Sequence, residues 1–206
     1  MLKVWGRANS SNVKKVTWLC EEMALPYERI DAGMSFGVVN TPEYRKLNPN
    51  GLVPTIDDEG FILWESNAVV RYLAAKHSAG KLWPADLKAR ADSDRWMDWC
   101  TATLWPAFRP VFWNLIRTPA EKRSQAEIDA GVKATGEVLS RLDSGLAGRR
   151  FVGGDGLTMG DIAFGPIVYL VQNVMPSKPS LPNYEAWYSR ISERPAFKKV
   201  VALPIA

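Results

Sequence analysis

Two short segments of the chain combine residue types that can hold a small peptide by its backbone. The first, from Asn48 to Ile56, passes from an Asn-Pro-Asn-Gly turn directly into an apolar stretch that contains a proline. Because proline donates no ladder hydrogen bond and X-Pro bonds have only a small trans preference, we expect a cis Val53–Pro54 bond beside a strand. Such a turn would direct the N–H and C=O of Val53 outward, where an extended peptide can pair with them.

The second segment places a carboxylate and a hydroxyl at the predicted junction between a strand and a helix. The strand is expected over Phe61 to Trp64 and the helix over Asn67 to Lys76, with Glu65 and Ser66 between them. A helix N-terminus has unpaired N–H groups and a partial positive charge, which suit a ligand carboxylate. Together the two segments predict a site for a small peptide's backbone, terminal amine and terminal carboxylate.

These segments, in this order, resemble the glutathione-binding half of the cytosolic glutathione transferases. Those enzymes have a cis-proline after a valine, as at Val53 and Pro54, and a Glu-Ser or Gln-Ser pair that opens the third helix, as at Glu65 and Ser66. The resemblance covers essentially the whole chain. It implies a transferase that lowers the pKa of the glutathione thiol and holds the thiolate for attack on an apolar electrophile.

The same resemblance assigns the catalytic role to Ser10, with Asn12 beside it. The segment Ser10–Val16 is similar to the serine-type theta and delta classes, and Asn12 matches an asparagine of the bacterial nu class. The tyrosine of the alpha, mu and pi classes and the cysteine of the omega class have no counterpart here. Plain N-capping of a helix is the other interpretation of Ser10 and Ser11.

One departure from the theta pattern concerns the glycyl carboxylate of glutathione. Theta-class enzymes hold it with a lysine before the valine and with basic residues in the preceding loop. Here those places have Leu52 and, in the loop, Val39 and Asn40. The carboxylate is then expected to meet Asn40, Asn50 or backbone N–H groups, and the chain is placed among theta-like bacterial members without a fixed class.

An aromatic cluster on a predicted long helix is the candidate pocket for the electrophile. Aromatic walls suit flat apolar substrates, although such a stripe also packs in cores and dimer interfaces. Asp94, earlier on this helix, resembles the position from which one subunit of a theta-like dimer reaches its partner's glutathione. The pocket residues are Trp105, Phe108, Arg109, Phe112 and Trp113.

The predicted secondary structure divides the chain into an alternating part and a helical part. Residues 1–77 follow the order βαβαββα, which is that of a thioredoxin-like domain, and residues 78–86 form a short linker. Residues 87–206 form an all-helical domain that contributes the hydrophobic substrate pocket. The predicted fold class is therefore α/β plus all-α.

The helical patterns also make predictions about individual residues. Lys14 and Lys15 fall opposite the apolar face of the first helix, so we expect them in solvent. A helix from about Leu87 to Trp113 should bend at its prolines. Thr158 and Asp161 form a capping box, which predicts a role in folding and no catalytic role.

Composition limits the classes of function that the chain can serve. Its 206 residues are 47% hydrophobic and 23% charged, as in globular proteins, and no apolar run is long enough for a membrane span. The net charge of +4 is spread without a basic stripe, so nucleic acid and membrane partners are not expected. One histidine and two isolated cysteines predict no metal site and no dithiol motif. We expect a cytoplasmic protein.

Two other functions and one assembly state complete the predictions. Ser10 and Asn12 together favour a glutathione-dependent peroxidase or disulfide reductase of the nu type. The missing carboxylate clamp favours a non-catalytic transferase-like binding module. A homodimer is expected because the two-domain build would otherwise leave an apolar helix face of the second domain in water.

Overall fold

The computed structural model describes residues 1–205 and begins with a four-stranded mixed sheet. The strands lie in the order β2-β1-β3-β4, with β1 and β2 parallel and the other two pairs antiparallel. Val4 of β1 is opposite Ile56 of β3, and both are fully buried. The strands are β1 (Leu2–Trp5), β2 (Tyr27–Ile30), β3 (Thr55–Asp58) and β4 (Phe61–Trp64).

The hairpin between β3 and β4 has the turn that its sequence predicts. Asp58 pairs with Phe61, so Glu59 and Gly60 form a two-residue turn, and both have positive φ, 56° and 93°. The Asp57 carboxylate accepts a bond of 2.7 Å from the N–H of Gly60. Strand β3 begins at Thr55, directly after the cis Val53–Pro54 bond, because proline has no N–H for a ladder.

Three helices pack on the sheet, which completes the predicted order βαβαββα. The first of them corrects one expectation: Lys14 and Lys15 are buried, with 2% and 4% of their surface exposed. The helix Ser66–His77 and two later helices, Met159–Val174 and Pro195–Val200, cover this first helix on several sides, so little of it faces solvent. The Lys14 Nζ donates to the carbonyl of Val201 at 2.9 Å. The three helices are α1 (Ser11–Glu22), α2 (Pro42–Leu47) and α3 (Ser66–His77).

The remainder of the described chain is helical, as predicted. A short 3-10 turn lies at Ala120–Lys122, and a similar turn at Met34–Phe36 follows β2. The longer helices are α4 (Leu87–Trp99), α5 (Trp105–Phe112), α6 (Gln125–Leu146), α7 (Met159–Val174), α8 (Pro182–Ser192) and α9 (Pro195–Val200).

The predicted long helix is instead two α-helices joined and followed by wider π-helical turns. One π turn spans Cys100–Leu104, directly before α5, and the other spans Trp113–Arg117. Pro106 lies in the first turn of α5 and Pro110 lies inside it. Because each proline lacks an N–H and its ring displaces the preceding turn, the regular ladder cannot run through unchanged. The wider turns place Trp105 and Trp113 beside the cleft described below.

Helix α7 joins the two parts of the molecule into one core. Gly165 of α7 lies against Trp18 of α1, and a Cβ on Gly165 would stand 2.1 Å from the Trp18 ring. Trp18 also meets Phe197 edge-on, with ring centroids 5.1 Å apart. The sheet part and the helical part therefore share buried side chains, and their relative position is fixed by direct packing.

The start of α7 is fixed by the capping box that the sequence predicts. The buried Asp161 carboxylate accepts bonds from the N–H groups of Val152 (3.0 Å) and Thr158 (2.9 Å) and from the Trp187 indole (2.8 Å). It lies in the core with these partners, so Asp161 serves the fold. None of the helices within residues 1–205 is long and apolar enough to cross a membrane.

Candidate functional site

Ser10 lies immediately before α1, where its hydroxyl is free for a ligand. The residue is buried and has extended backbone geometry (φ −74°, ψ 123°), yet its side chain makes no capping bond. Within residues 1–205 no side-chain hydrogen bond of Ser10 is formed, although its Oγ is not sealed from solvent. An N-cap serine ordinarily bonds to its own helix, so this hydroxyl has a donor and acceptor capacity that the fold does not use.

The turn at Val53 presents an unpaired piece of backbone to the same region. The Val53–Pro54 bond is cis, and the Val53 N–H and C=O make no hydrogen bond among the described residues. The neighbouring Leu52 carbonyl is instead held by the Tyr44 hydroxyl at 2.7 Å and the Asn48 amide at 2.9 Å. These bonds fix the turn, so the free edge at Val53 is positioned to pair with an extended ligand.

The N-terminus of α3 forms the opposite wall. Glu65 precedes the helix, is exposed, and has φ of +70°, a conformation that non-glycine residues rarely adopt. It makes no capping bond, so the first N–H groups of α3 have no side-chain cap. The hydroxyl of Ser66 donates to the Asn12 amide oxygen at 3.3 Å, which links the starts of α1 and α3.

A cavity of about 650 Å³ lies between these helix starts and the helical part. Its wall includes paired charged and polar groups: the Lys15 amine donates to Asn67 at 3.2 Å, and the Arg71 guanidinium is held by Asp94 and Asp98, each at 2.6 Å. Burial lowers the pKa of Lys15, and the nearby Cys100 and Glu65 partly oppose that change. Acidic and basic groups thus stand side by side, as a ligand with both an amine and a carboxylate requires.

A second cavity, of about 370 Å³, has Ser10 in its lining, and most of its surface is apolar. The two cavities share Ser11, Asn12 and Trp105, so they are neighbouring parts of one cleft. Leu52 and Val53 line the second cavity from the sheet side, and Phe112 and Trp113 line it from the helical side. Ser10 and the cis turn at Val53 thus meet at this second cavity.

The cysteines supply no nucleophile to the cleft. Burial raises the pKa of Cys100, which lines the first cavity, to about 11, with an opposing effect of Lys15. Burial raises the pKa of Cys20 to about 12, and both residues are free thiols. Because the thiolate is the reactive form, neither side chain is activated at neutral pH. Residues 1–205 contain no group of three or more potential metal ligands.

The predicted electrophile residues divide between the cleft and other surroundings. Trp105, Phe112 and Trp113 line the second cavity. Phe108 was expected there but is fully buried in the core, where its ring lies behind those of Trp105 and Phe112, with centroids 6.4 and 6.3 Å away. Arg109 lies outside the second cavity: its guanidinium is over the Trp113 ring at 5.0 Å, in a surface groove between α5 and α6.

Four of the predicted glutathione residues, Asn40, Asn50, Pro54 and Asp94, do not line either cavity. Asn40 and Asn50 are exposed, and their side chains bond to Arg45 and Asn48, both at 3.1 Å. Asp94 is paired with Arg71 in its own chain, while Asp98, one turn later, reaches the first cavity. Pro54 is buried behind the turn. A direct contact of these residues with glutathione stays a prediction.

The sequence did not predict that Lys15 lines the first cavity, because its neighbours in sequence indicate a solvent-facing side of the helix. Only the packing of α3 against α1 turns it toward the cavity. Two arginines of the second cavity, Arg7 and Arg117, were also missed. Neither has a motif around it, because each reaches the cleft from a turn or a π segment that the sequence does not specify.

A thioredoxin-like sheet with a cis-proline turn, joined to a helical domain across a cleft, is the architecture of the cytosolic glutathione transferases. Two family models match the chain: the glutathione S-transferase N-terminal domain over residues 1–75 and the C-terminal domain over residues 99–195. The chain therefore belongs to the glutathione S-transferase family, and the predicted fold and enzyme class are confirmed.

Relatives and solved structures agree with this membership over the full length. The chain is 45% identical over 208 residues to the glutathione S-transferase GstB of Escherichia coli (strain K12), with 100% of each chain covered. It is 28% identical to glutathione S-transferase 3 of Zea mays, with 98% and 93% covered. A theta class glutathione S-transferase from Xanthomonas axonopodis pv. citri, solved with glutathione bound, has a TM-score of 0.95 and 44% identity, with 100% and 99% covered.

Proposed function

We propose that this transferase joins glutathione to an apolar electrophile, with Ser10 as the residue that activates the thiol. One observation supports the proposal most directly: the unused Ser10 hydroxyl and the free backbone of Val53 belong to residues that line the same, mainly apolar cavity. In this arrangement the cysteinyl part of glutathione pairs with Val53, and its sulfur lies beside Ser10. The thiolate attacks the electrophile, a thioether bond forms, the leaving group departs, and the thiol proton goes to solvent.

The first cavity is the proposed site of the γ-glutamyl group. Glu65 is placed to meet its amine, and the Ser66 hydroxyl with the first N–H groups of α3 is placed to meet its carboxylate. Asn12 lines both cavities and is bonded to Ser66, so it can orient the bound peptide near the sulfur. The electrophile is proposed to lie in the second cavity, against Trp105 and Phe112.

A second candidate is a glutathione-dependent peroxidase or disulfide reductase. The observation in its favour is that the exposed Asn12 lies next to Ser10 at the mouth of the cleft, where it can also face a sulfur. A third candidate is a binding module without turnover. It is favoured by the sequence, which has Leu52, Val39 and Asn40 where theta-class enzymes place the basic residues that hold the glycyl carboxylate.

Binding and two assays separate these functions. We expect retention on immobilised glutathione and elution by free glutathione, followed by conjugation of 1-chloro-2,4-dinitrobenzene. Turnover of cumene hydroperoxide with little conjugation would support the peroxidase instead. Binding without turnover of either substrate would support the module. Absence of both binding and turnover at millimolar glutathione would contradict all three.

The assembly and the compartment are also proposed. We infer a homodimer in the cytoplasm, with detoxification as its role. The expected apolar helix face does not support the homodimer. On the helical part of residues 1–205, the exposed large apolar side chains are Leu87 and Trp113. The loop after β2 exposes three more in a short span, Met34, Phe36 and Val38, and pairing of two copies would cover them.

A further inference from the structure

Two guanidinium groups line the second cavity, one from each part of the molecule. Arg7 follows β1, and Arg117 ends the π turn after α5. Arg117 lies over the Phe112 ring, with its guanidinium carbon 5.5 Å from the ring centroid. Arg7 stands against the turn at Gly33, where a Cβ would meet its Nη1 at 3.3 Å. Both side chains therefore border the space beside Ser10.

Neither cation has an acidic partner among residues 1–205. The ion pairs of this part of the chain use other residues, and the lining of the second cavity includes no aspartate or glutamate. Arg7 Nε is buried and forms no hydrogen bond with residues 1–205. Burial, and then the charge of Arg117, lower the pKa of Arg7, as expected for two cations that face each other across a partly dry space. Arg7 and Arg117 are partly buried, so water solvates their charges incompletely, which suggests that a ligand supplies the missing anion.

We infer that Arg7 and Arg117 bind a carboxylate, or a similar anionic group, of the electrophile. This inference rests on the proposed function, because it takes the second cavity as the electrophile site. The preferred substrate then has an apolar aromatic or alkyl portion, which packs on Trp105 and Phe112, and one anionic substituent. A guanidinium is suited to this task because its planar set of N–H donors matches a carboxylate.

Glutathione itself carries another carboxylate, on its glycyl end, so the two sources must be distinguished. The position of the pair favours the electrophile: Arg117 belongs to the helical part and is stacked on Phe112, an aromatic wall of the apolar cavity. The measurements below separate the two carboxylates by comparing the Michaelis constants of the two substrates.

The test uses a matched pair of aryl chlorides, 4-chloro-3,5-dinitrobenzoate and 4-chloro-3,5-dinitrobenzamide. With each compound, the thiolate attacks the carbon that bears chlorine, and chloride leaves. The two compounds therefore undergo the same reaction and differ in charge at a position remote from the reacting carbon. Each enzymatic kcat/KM, at saturating glutathione, is divided by the uncatalysed rate of the same compound. The ratio of benzoate to benzamide is then compared among the wild type, Arg7→Met, Arg117→Met and Arg117→Lys.

We expect both methionine variants to lower that ratio about tenfold or more, through a higher KM for the benzoate. Arg117→Lys should restore part of the ratio that Arg117→Met loses, and added salt should lower the ratio of the wild type. Arg90→Met is the matched control: its guanidinium lies over Trp83, away from the cleft, and the ratio should not change. Thermal melting should show folded variants, since each substitution removes a cation without an acidic partner in the described chain. If one variant fails to fold, the other still gives the comparison.

Two results would overturn the inference. One is a ratio that stays at the wild-type value in both methionine variants. The other is a KM for glutathione that rises with both aryl chlorides while the ratio is unchanged, which would assign the pair to the glycyl carboxylate. Failure of the proposed function itself looks different, because the wild type would then conjugate neither compound.

Discussion

Ser10 is a largely buried residue that precedes a helix, and yet its hydroxyl makes no bond to that helix. A capping bond contributes about 1 kcal/mol to a helix, so the fold gives up a small stabilisation at this position. The cis turn at Val53 similarly leaves a backbone N–H and C=O without partners in the described chain. Both features are explained when a bound peptide supplies the partners, which makes these two residues the strongest evidence for the site.

Replacement of Ser10 by alanine should raise the pKa of the bound thiol and lower turnover at neutral pH. A hydrogen bond from one hydroxyl to a thiolate in a partly dry site is worth about 1.5–3 kcal/mol, or roughly one to two pKa units. We therefore expect turnover at pH 7 to fall about tenfold to a hundredfold, with folding and glutathione affinity nearly unchanged. The pH dependence of kcat measures the shift.

Ser11→Ala is the matched control for Ser10. Ser11 is the first residue of α1, and its loss should change turnover little. If Ser11→Ala removes activity while Ser10→Ala remains active, the assignment of the catalytic serine is wrong by one position.

Asn12→Ala distinguishes the transferase from the peroxidase or reductase. In the transferase, Asn12 mainly holds Ser66 across the cleft, so its loss should raise the KM for glutathione a few fold and leave kcat largely intact. In nu-like chemistry Asn12 faces the sulfur, and its loss should reduce turnover as much as Ser10→Ala does. Steady-state constants for glutathione with each substrate decide between the two.

The sequence predicted this site where local residues determine the geometry and failed where packing determines it. Pro54 and its neighbours dictate the turn on their own, so the cis bond at Val53 was predictable. Phe108 was placed in the pocket and lies in the core, because a helical stripe does not indicate which side meets the neighbouring helices. Lys15 was placed in solvent for the same reason, and it lines the first cavity.

At the scale of elements, the start of α7 depends on one buried carboxylate. Asp161→Ala would leave the N–H groups of Val152 and Thr158 and the Trp187 indole without their acceptor. We expect the free energy of unfolding to fall by about 3 kcal/mol or more, measured by urea denaturation. Asp155→Ala, at an exposed site in the preceding loop, should change it by less than about 0.5 kcal/mol.

Lys14 ties α1 to the chain after α9 and should make stability depend on alkaline pH. Burial lowers its pKa to about 8 in the folded protein, whereas the unfolded value is about 10.4. Folding therefore favours the neutral amine of Lys14. The resulting contribution to the free energy of unfolding is largest above about pH 10.4 and is lost as the pH falls through about 8. The sign is opposite to that of a lysine stabilised by a salt bridge.

The measurement is the free energy of unfolding of the wild type minus that of Lys14→Met, taken across the alkaline range. We expect this difference to increase by at most about 3 kcal/mol as the pH rises from about 8 to about 10.4, because the wild type gains stability relative to the variant. Lys199→Met, which removes an exposed amine paired with Glu21, should show no such rise. A flat difference for Lys14→Met would mean that its amine is charged in the folded protein as readily as in water.

The order of strands and helices followed from sequence patterns, whereas the π turns around α5 did not. Pro106 and Pro110 predict a disturbance of the helix, but the sequence does not show whether the helix kinks, breaks or widens into a π turn. The choice depends on what Trp105 and Trp113 meet on the sheet side, which is set only after the two parts have packed.

At the scale of the whole molecule, we expect light scattering to give about twice the chain mass of 23.0 kDa at micromolar concentration. Phe36→Asp, in the exposed loop after β2, should shift the mass toward the monomer, because a charge there would be buried by pairing. Leu87→Asp tests an exposed leucine on the helical part and should leave the dimer intact. A wild-type mass near 23 kDa would contradict the dimer.

The contact between Trp18 and Gly165 limits how this chain can be recombined with its relatives. The sheet part contributes the Trp18 indole and the helical part contributes Gly165. The gap between them is too small for a Cβ atom. A hybrid gene that takes residues 1–77 from this chain and the helical part from a relative with a larger residue opposite Trp18 would encode two halves that cannot close. Evolution by exchange of domains is therefore restricted here to donors that keep the large and the small residue as a pair.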